Sequence, residues 1–152
     1  MTEKDRPEFD PPIRGGIVVG HDGSKVADRA LRWAVAEARA HGYVLHAVRA
    51  WVLSTAMRDM HVPFGTVPSF DECHTAIGDL LAASIEAAGP QGVEVHPHVV
   101  HGASTQALLV AAEHADLLVV GERGGGGFVG LHLGSVADQV IRHAPVVVVV
   151  VR

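Results

Sequence analysis

The stretch richest in chemistry runs Val119-Val120-Gly121-Glu122-Arg123-Gly124-Gly125-Gly126-Gly127-Phe128-Val129-Gly130-Leu131-His132-Leu133-Gly134-Ser135. It leaves an apolar run and enters a segment with helical spacing. Glycines such as Gly121, Gly124 and Gly134 let backbone N–H groups turn toward an anion with no Cβ in the way. A helix opening near Ser135 adds unpaired amides and a positive dipole end, and the Ser135 hydroxyl can donate once more. Such groups make a phosphate cradle. Two standard phosphate motifs fit badly. A P-loop needs a lysine, and no lysine follows Lys25. A dinucleotide fingerprint belongs on the first strand–helix turn, whereas this loop follows the fourth strand. Glycine content alone would equally suit a plain linker.

The elements that must position this loop are readable from periodicity. Met1 to Arg14 holds Pro7, Pro11 and Pro12 among mixed charges and reads as a flexible tail, 1–14, ahead of one domain, 15–152. Ile17–Val19 is a short apolar run suited to a strand buried on both faces. It ends in Gly20-His21-Asp22-Gly23-Ser24, with Ser24 as a helix N-cap. Ala27, Ala30, Leu31, Ala34, Val35 and Ala38 recur at helical spacing, and Gly42 stops that helix. Val44–Trp51 reads as a second strand. Residues 52–70 read as irregular, a length that suggests a functional flap or lid. The remaining segments are a helix over 71–88, a strand over 93–100, a helix over 104–114, a strand over 116–120, a helix over 135–143 and a strand over 146–151. Strands alternating with helices predict an open α/β sheet.

The spacing Gly121-x2-Gly124-x9-Gly134-Ser135 resembles the glycine pattern of the universal stress protein family, in its single-domain, ATP-binding form. Val18-Val19-Gly20-His21-Asp22-Gly23-Ser24 is similar to that family's opening motif. Ala115–Gly121 and His143–Val148 resemble its fourth and fifth strands. The resemblance covers Gly16 to Arg152. It implies an open, Rossmann-like sheet of five parallel strands in order 3-2-1-4-5 with helices on both faces. In that order ligands bind at the carboxyl ends, between strands one and four.

The resemblance also implies roles. Gly20 lies in the first flanking loop. Gly121 and Gly124 approach the ribose and phosphates. Gly134 and Ser135, with the N–H of Val136, cap the phosphate tail. Asp22 reaches the ribose, or a metal on the phosphates. Ala50 faces adenine through its backbone, and Gly102 lies near the same pocket. Arg123 pairs with a phosphate or is a solvated loop arginine. His21 stands where the family is usually apolar, and Arg49 where a histidine is common. The implied function is a stress-response or signalling regulator binding ATP with Mg2+ or Mn2+. A slow ATPase or phosphotransferase, and a cyclic-AMP-binding variant of the same site, stay open. Ser135 has no evident general base and reads as a ligand contact rather than a nucleophile.

Composition narrows the rest. The 152 residues are 48% hydrophobic, enough for one packed domain, and carry a net charge of −5. Acidic residues number 17 against 12 basic, which argues against nucleic acid as partner. No apolar run approaches the roughly 20 residues that span a bilayer, and the N-terminus has no signal-peptide core. A soluble, cytoplasmic protein with no membrane partner is expected. Cys73, the single cysteine, excludes an intrachain disulfide and reads as a plain helix residue. His96, His98 and His101 lack a completing carboxylate or thiolate, so they read as an exposed polar strand face rather than a metal site. The six valines Val146–Val151 would leave a sticky sheet edge. Members of the family commonly pair this strand with its twofold mate, so a homodimer through it is expected, with a covering loop or the N-terminal tail as the competing explanation.

Overall fold

The computed structural model of the chain describes residues 1–123 and 133–152. Its strands are β1 (Ile17–Gly20), β2 (Leu45–Trp51), β3 (Val95–His101), β4 (Leu117–Gly121) and β5 (Val147–Val151). Its helices are α1 (Lys25–His41), α2 (Leu53–Asp59), α3 (Phe70–Ala87), α4 (Ser104–Ala112) and α5 (Ser135–His143). All strand pairs are parallel, in the order β3-β2-β1-β4-β5. This is the α/β sheet expected from the sequence.

Alternation along the strands divides the core into two layers. Val18, Val48, Leu118 and Val120 point to one face, against Leu108 and Ala111 of α4 and Val140 of α5. Ile17, Val19, Ala47 and Val119 point to the other, against Ala30, Leu31, Ala34 and Val35 of α1 and Leu81 of α3. Helix ends follow local chemistry. The Ser24 hydroxyl accepts from the Ala27 N–H at 3.1 Å, and Gly42 ends α1 at φ +73°. Ser69 and Glu72 cap α3 reciprocally, at 2.7 and 3.2 Å.

Three segments differ from the sequence reading. Within the stretch read as irregular, residues 53–59 form α2. Its buried residue is Ala56, which gives periodicity almost nothing to report. The Thr55 hydroxyl secures its start by accepting from the Val52 N–H at 3.1 Å. The stretch read as a flexible tail carries Phe9 and Ile13 onto the α4 side of the sheet, with Ile13 buried. Arg6 pairs with Glu113 at the end of α4. Of the three β3 histidines read as an exposed polar face, His101 is exposed and His96 half-buried, but His98 is covered. His98 is buried with His46 of β2, Nδ1 of His46 lying 2.9 Å from Nε2 of His98. Phe9 stands edge-on to the His98 ring at 5.4 Å. Among the described residues, no group of three or more His, Cys, Asp or Glu is placed to hold a metal ion. Cys73 is fully buried beside Trp51, Ala56 and Ile77.

Two glycines set how closely the helices approach the strand ends. A Cβ at Gly20 would stand 2.8 Å from Cδ1 of Leu108 in α4. At Gly121 it would stand 2.6 Å from Cγ1 of Val26 in α1. The two residues end adjacent strands, and the helices close on them from opposite faces. Gly121→Ala should therefore cost about 1–3 kcal/mol in urea unfolding. Adding Val26→Ala should recover most of that loss, because the blocking atom is a side-chain methyl.

The histidine pair predicts a pH dependence. Burial holds His98 down at about 4, helped by the charges of His46 and His96 and opposed by Asp10. His46 is lowered as well, first by burial, then by His96, with Glu94 opposing. An unfolded histidine titrates near about 6.5. Between these values the unfolded chain takes up a proton that the folded chain refuses. Stability should be complete above about pH 6.5 and decline by about 2–3 kcal/mol as pH falls to about 4. Urea midpoints across that range check this, and His98→Gln should flatten the curve.

Candidate functional site

The carboxyl ends of β1 and β4 lie side by side, with Val19 opposite Val119. From β1 the chain turns toward α1 and β2. From β4 it turns toward α5 and β5. The winding therefore reverses between β1 and β4, the place where open α/β sheets leave a crevice. Gly20, Asp22, Gly121, Gly134, Ser135 and Val136 come from these two connections. Gly124 lies outside the described residues.

The β1–α1 connection is braced from within. His21 is buried, and its Nε2 lies 2.8 Å from Oδ1 of Asp28. Its Nδ1 accepts from the Gly23 N–H at 3.2 Å, so the proton belongs on Nε2. A buried histidine with partners at both nitrogens thus occupies a position where the sequence reading notes an apolar residue as usual. Asp22 is exposed, and its Oδ1 accepts from the Ser24 N–H at 2.9 Å. That bond holds the carboxylate at the rim of the loop. Among the described residues no group of three ligating side chains is gathered here, and Asp22 could share an ion with oxygens of a ligand.

On the other wall, Gly134 is the N-cap residue of α5, with extended backbone at φ −72° and ψ 162°. Its N–H donates to the carbonyl of Glu122 at 2.7 Å, which anchors the start of α5 beside the end of β4. Glycine has no side chain to accept from the first amides of the helix. The Ser135 hydroxyl is exposed on the first turn, and Val136 is half-buried against the core. The arrangement offers backbone donors, one hydroxyl and a helix dipole to an acceptor-rich ligand. Arg123 lies at the edge of the loop, 3.7 Å from Glu122. Glu122 also meets Arg152 at 3.6 Å, so among the described residues it is flanked by Arg123 and Arg152.

Ala50 and Gly102 lie on the β3 side. Ala50 is paired with Val100, and the Gly102 N–H donates to the Trp51 carbonyl at 2.9 Å. They share the carboxyl edge of the sheet with the crevice but stand one and two strands away from β1. Gly102 holds φ +146°, which side chains rarely adopt.

Sequence reasoning missed the part played by Arg49 at the end of β2. It is buried, and its Nη2 lies 3.0 Å from Oδ2 of Asp59 in α2. The same nitrogen sits where a Cβ on Gly23 would be only 2.8 Å away. Ten residues separate Arg49 from Asp59, across a segment read as irregular, so no periodic signal linked them. Arg58 pairs with Asp59 and, more weakly, feels the charge of Asp22, which raises its pKa further.

Known proteins were compared with this chain. The universal stress protein family pattern matches residues 15–152. A universal stress protein of Mycolicibacterium smegmatis is 36% identical over 140 residues, covering 90% of this chain and 45% of its own length. One from Mycobacterium tuberculosis is 33% identical, covering 93% and 46%. The chain spans about half the length of the curated relatives it matches. A universal stress protein solved in complex with cAMP is 30% identical, with a TM-score of 0.64 and coverage of 92% and 98%. One from Archaeoglobus fulgidus, solved in complex with dAMP, is 26% identical, with a TM-score of 0.65 and coverage of 92% and 99%. Strand order, the crevice at the reversal of winding and these matches agree: the chain belongs to the universal stress protein family.

Proposed function

We propose that the chain binds an adenine nucleotide in the crevice between β1 and β4 and acts as a nucleotide-dependent regulator. The observation that carries this reading is the start of α5. A glycine-capped helix end, tied to the end of β4, places the amides of a helix start and the Ser135 hydroxyl at the point where the winding reverses. Two relatives of the same fold were solved with cAMP and dAMP, which supports an adenine ligand. In this reading Gly121, Gly124, Gly134, Ser135 and the Val136 N–H hold the phosphates, with Arg123 beside them. Asp22 meets the ribose or an ion riding on the phosphates. Gly20, Ala50 and Gly102 line the base and sugar side.

ATP with Mg2+ or Mn2+ is the first ligand to test, because the family's glycine spacing is complete here. Cyclic AMP is the second reading, favoured by the cAMP-bound relative at 30% identity. Turnover of ATP ranks below binding, since Ser135 has no base among its described partners. The edge strand β5 adds a partner. Val147 is 68% exposed at its start, and an uncovered valine edge pairs readily with another strand. A homodimer through β5 follows from that reading.

Calorimetric titration of nucleotide-free protein with ATP plus Mg2+, and separately with cyclic AMP, tests the site. We expect saturable binding of one of them, weakened roughly tenfold or more by Gly124→Glu, which sets a carboxylate against the phosphates. Silence toward both would overturn the reading. Sedimentation should give twice the chain mass, and Val147→Lys, a charge at the edge, should shift it toward the monomer.

A further inference from the structure

We propose that the Arg49–Asp59 ion pair is a latch that holds α2 over the β1 side of the crevice and sets how long a ligand stays there. This inference rests on the nucleotide-site reading above and concerns its regulation.

The geometry is specific. Arg49 projects from the end of β2, and its guanidinium touches two separate walls. One is the β1–α1 connection, where it packs against Gly23, next to Asp22. The other is the last residue of α2, where it meets Asp59 at 3.0 Å. The Arg49 and Asp59 side chains are 5% and 17% exposed, so the pair is shielded from water on most sides. Arg58 lies near enough to Asp22 for that carboxylate to raise its pKa, a contribution behind the larger ones from Asp59. The carboxyl end of α2 thus sits beside the loop that carries Asp22.

Otherwise α2 is held by a small apolar contact with α3 and the end of β2. Ala56 is its buried residue, and with Met60 it packs on Trp51, Cys73 and Ile77. Leu53 is exposed, and the chain leaving the helix passes through His61 at φ +56° and Gly65 at φ +83°. A short helix with one buried side chain and left-handed residues behind it can lift while the sheet stays intact. Breaking the shielded pair would free it. A glycine at position 23 lets the guanidinium reach both walls at once. A side chain there would push Arg49 away from the loop.

Ligand exchange through this rim then requires α2 to move, and the latch governs departure more than arrival. Stopped-flow measurements with a fluorescent ATP analogue, or the cyclic AMP analogue if calorimetry favours it, separate the two rates. Asp59→Asn keeps the shape and removes the charge. It should raise the dissociation rate roughly fivefold or more, with the association rate within about twofold. Arg49→Met should do the same, and the double variant should be no worse than either single one. Asp59→Glu should restore slow release. Amide exchange of 53–59 in the ligand-free protein should speed up in Asp59→Asn, while the β1 and β4 amides stay protected.

Unchanged dissociation in Asp59→Asn, or losses that add in the double variant, would overturn the latch and leave the nucleotide site standing. A wild-type protein that binds no adenine nucleotide would overturn the site, and the latch with it.

Discussion

Five parallel strands put all their carboxyl ends on one edge, and a chain that winds outward in both directions from the middle must leave a gap there. The proposed site depends on that constraint. β1 feeds α1 on one face and β4 feeds α5 on the other. Gly20 and Gly121 let α4 and α1 close on the two sides of the reversal without lifting the strand ends apart. The space between the connections follows from the topology. What fills it is decided by the few polar groups that the loops present.

Those groups are mostly backbone. Lysines are confined to positions 4 and 25, and the crevice wall on the β4 side relies on amides at a helix start. Such donors are fixed by the fold and carry little conformational entropy. The side chains nearby serve mainly to hold the loops. His21 fixes the Gly23 amide, Ser24 caps α1, and Arg49 joins two walls. The buried charge is paired, as burial demands.

The parts of this fold that could be read from sequence are those with local periodicity or a spaced glycine pattern. The strands and the longer helices came within about two residues because their apolar stripes recur over many positions. The end of β4 at Gly121 and the start of α5 at Gly134 and Ser135 were legible because glycines punctuate strand and helix ends. The elements that were missed depend on contacts distant in sequence. Fifty-two residues separate His46 from His98, and only strand register brings them together. Phe9 and Ile13 gave no periodic signal, yet they cover a face that no pattern in the tail announces. α2 is too short for its single buried alanine to be distinguished from chance.

The glycine cap on α5 carries a thermodynamic consequence. A helix that begins on a glycine lacks the side-chain acceptor that a serine or aspartate would bring to the same place. Its first amides then look to backbone, water or a ligand for their acceptors. Under the proposed function, a ligand there would act as a removable part of the helix cap, and the folded state would gain stability with the logarithm of its concentration. The melting temperature would then be a gauge of ligand supply, and a chain starved of that ligand would be more exposed to unfolding and proteolysis.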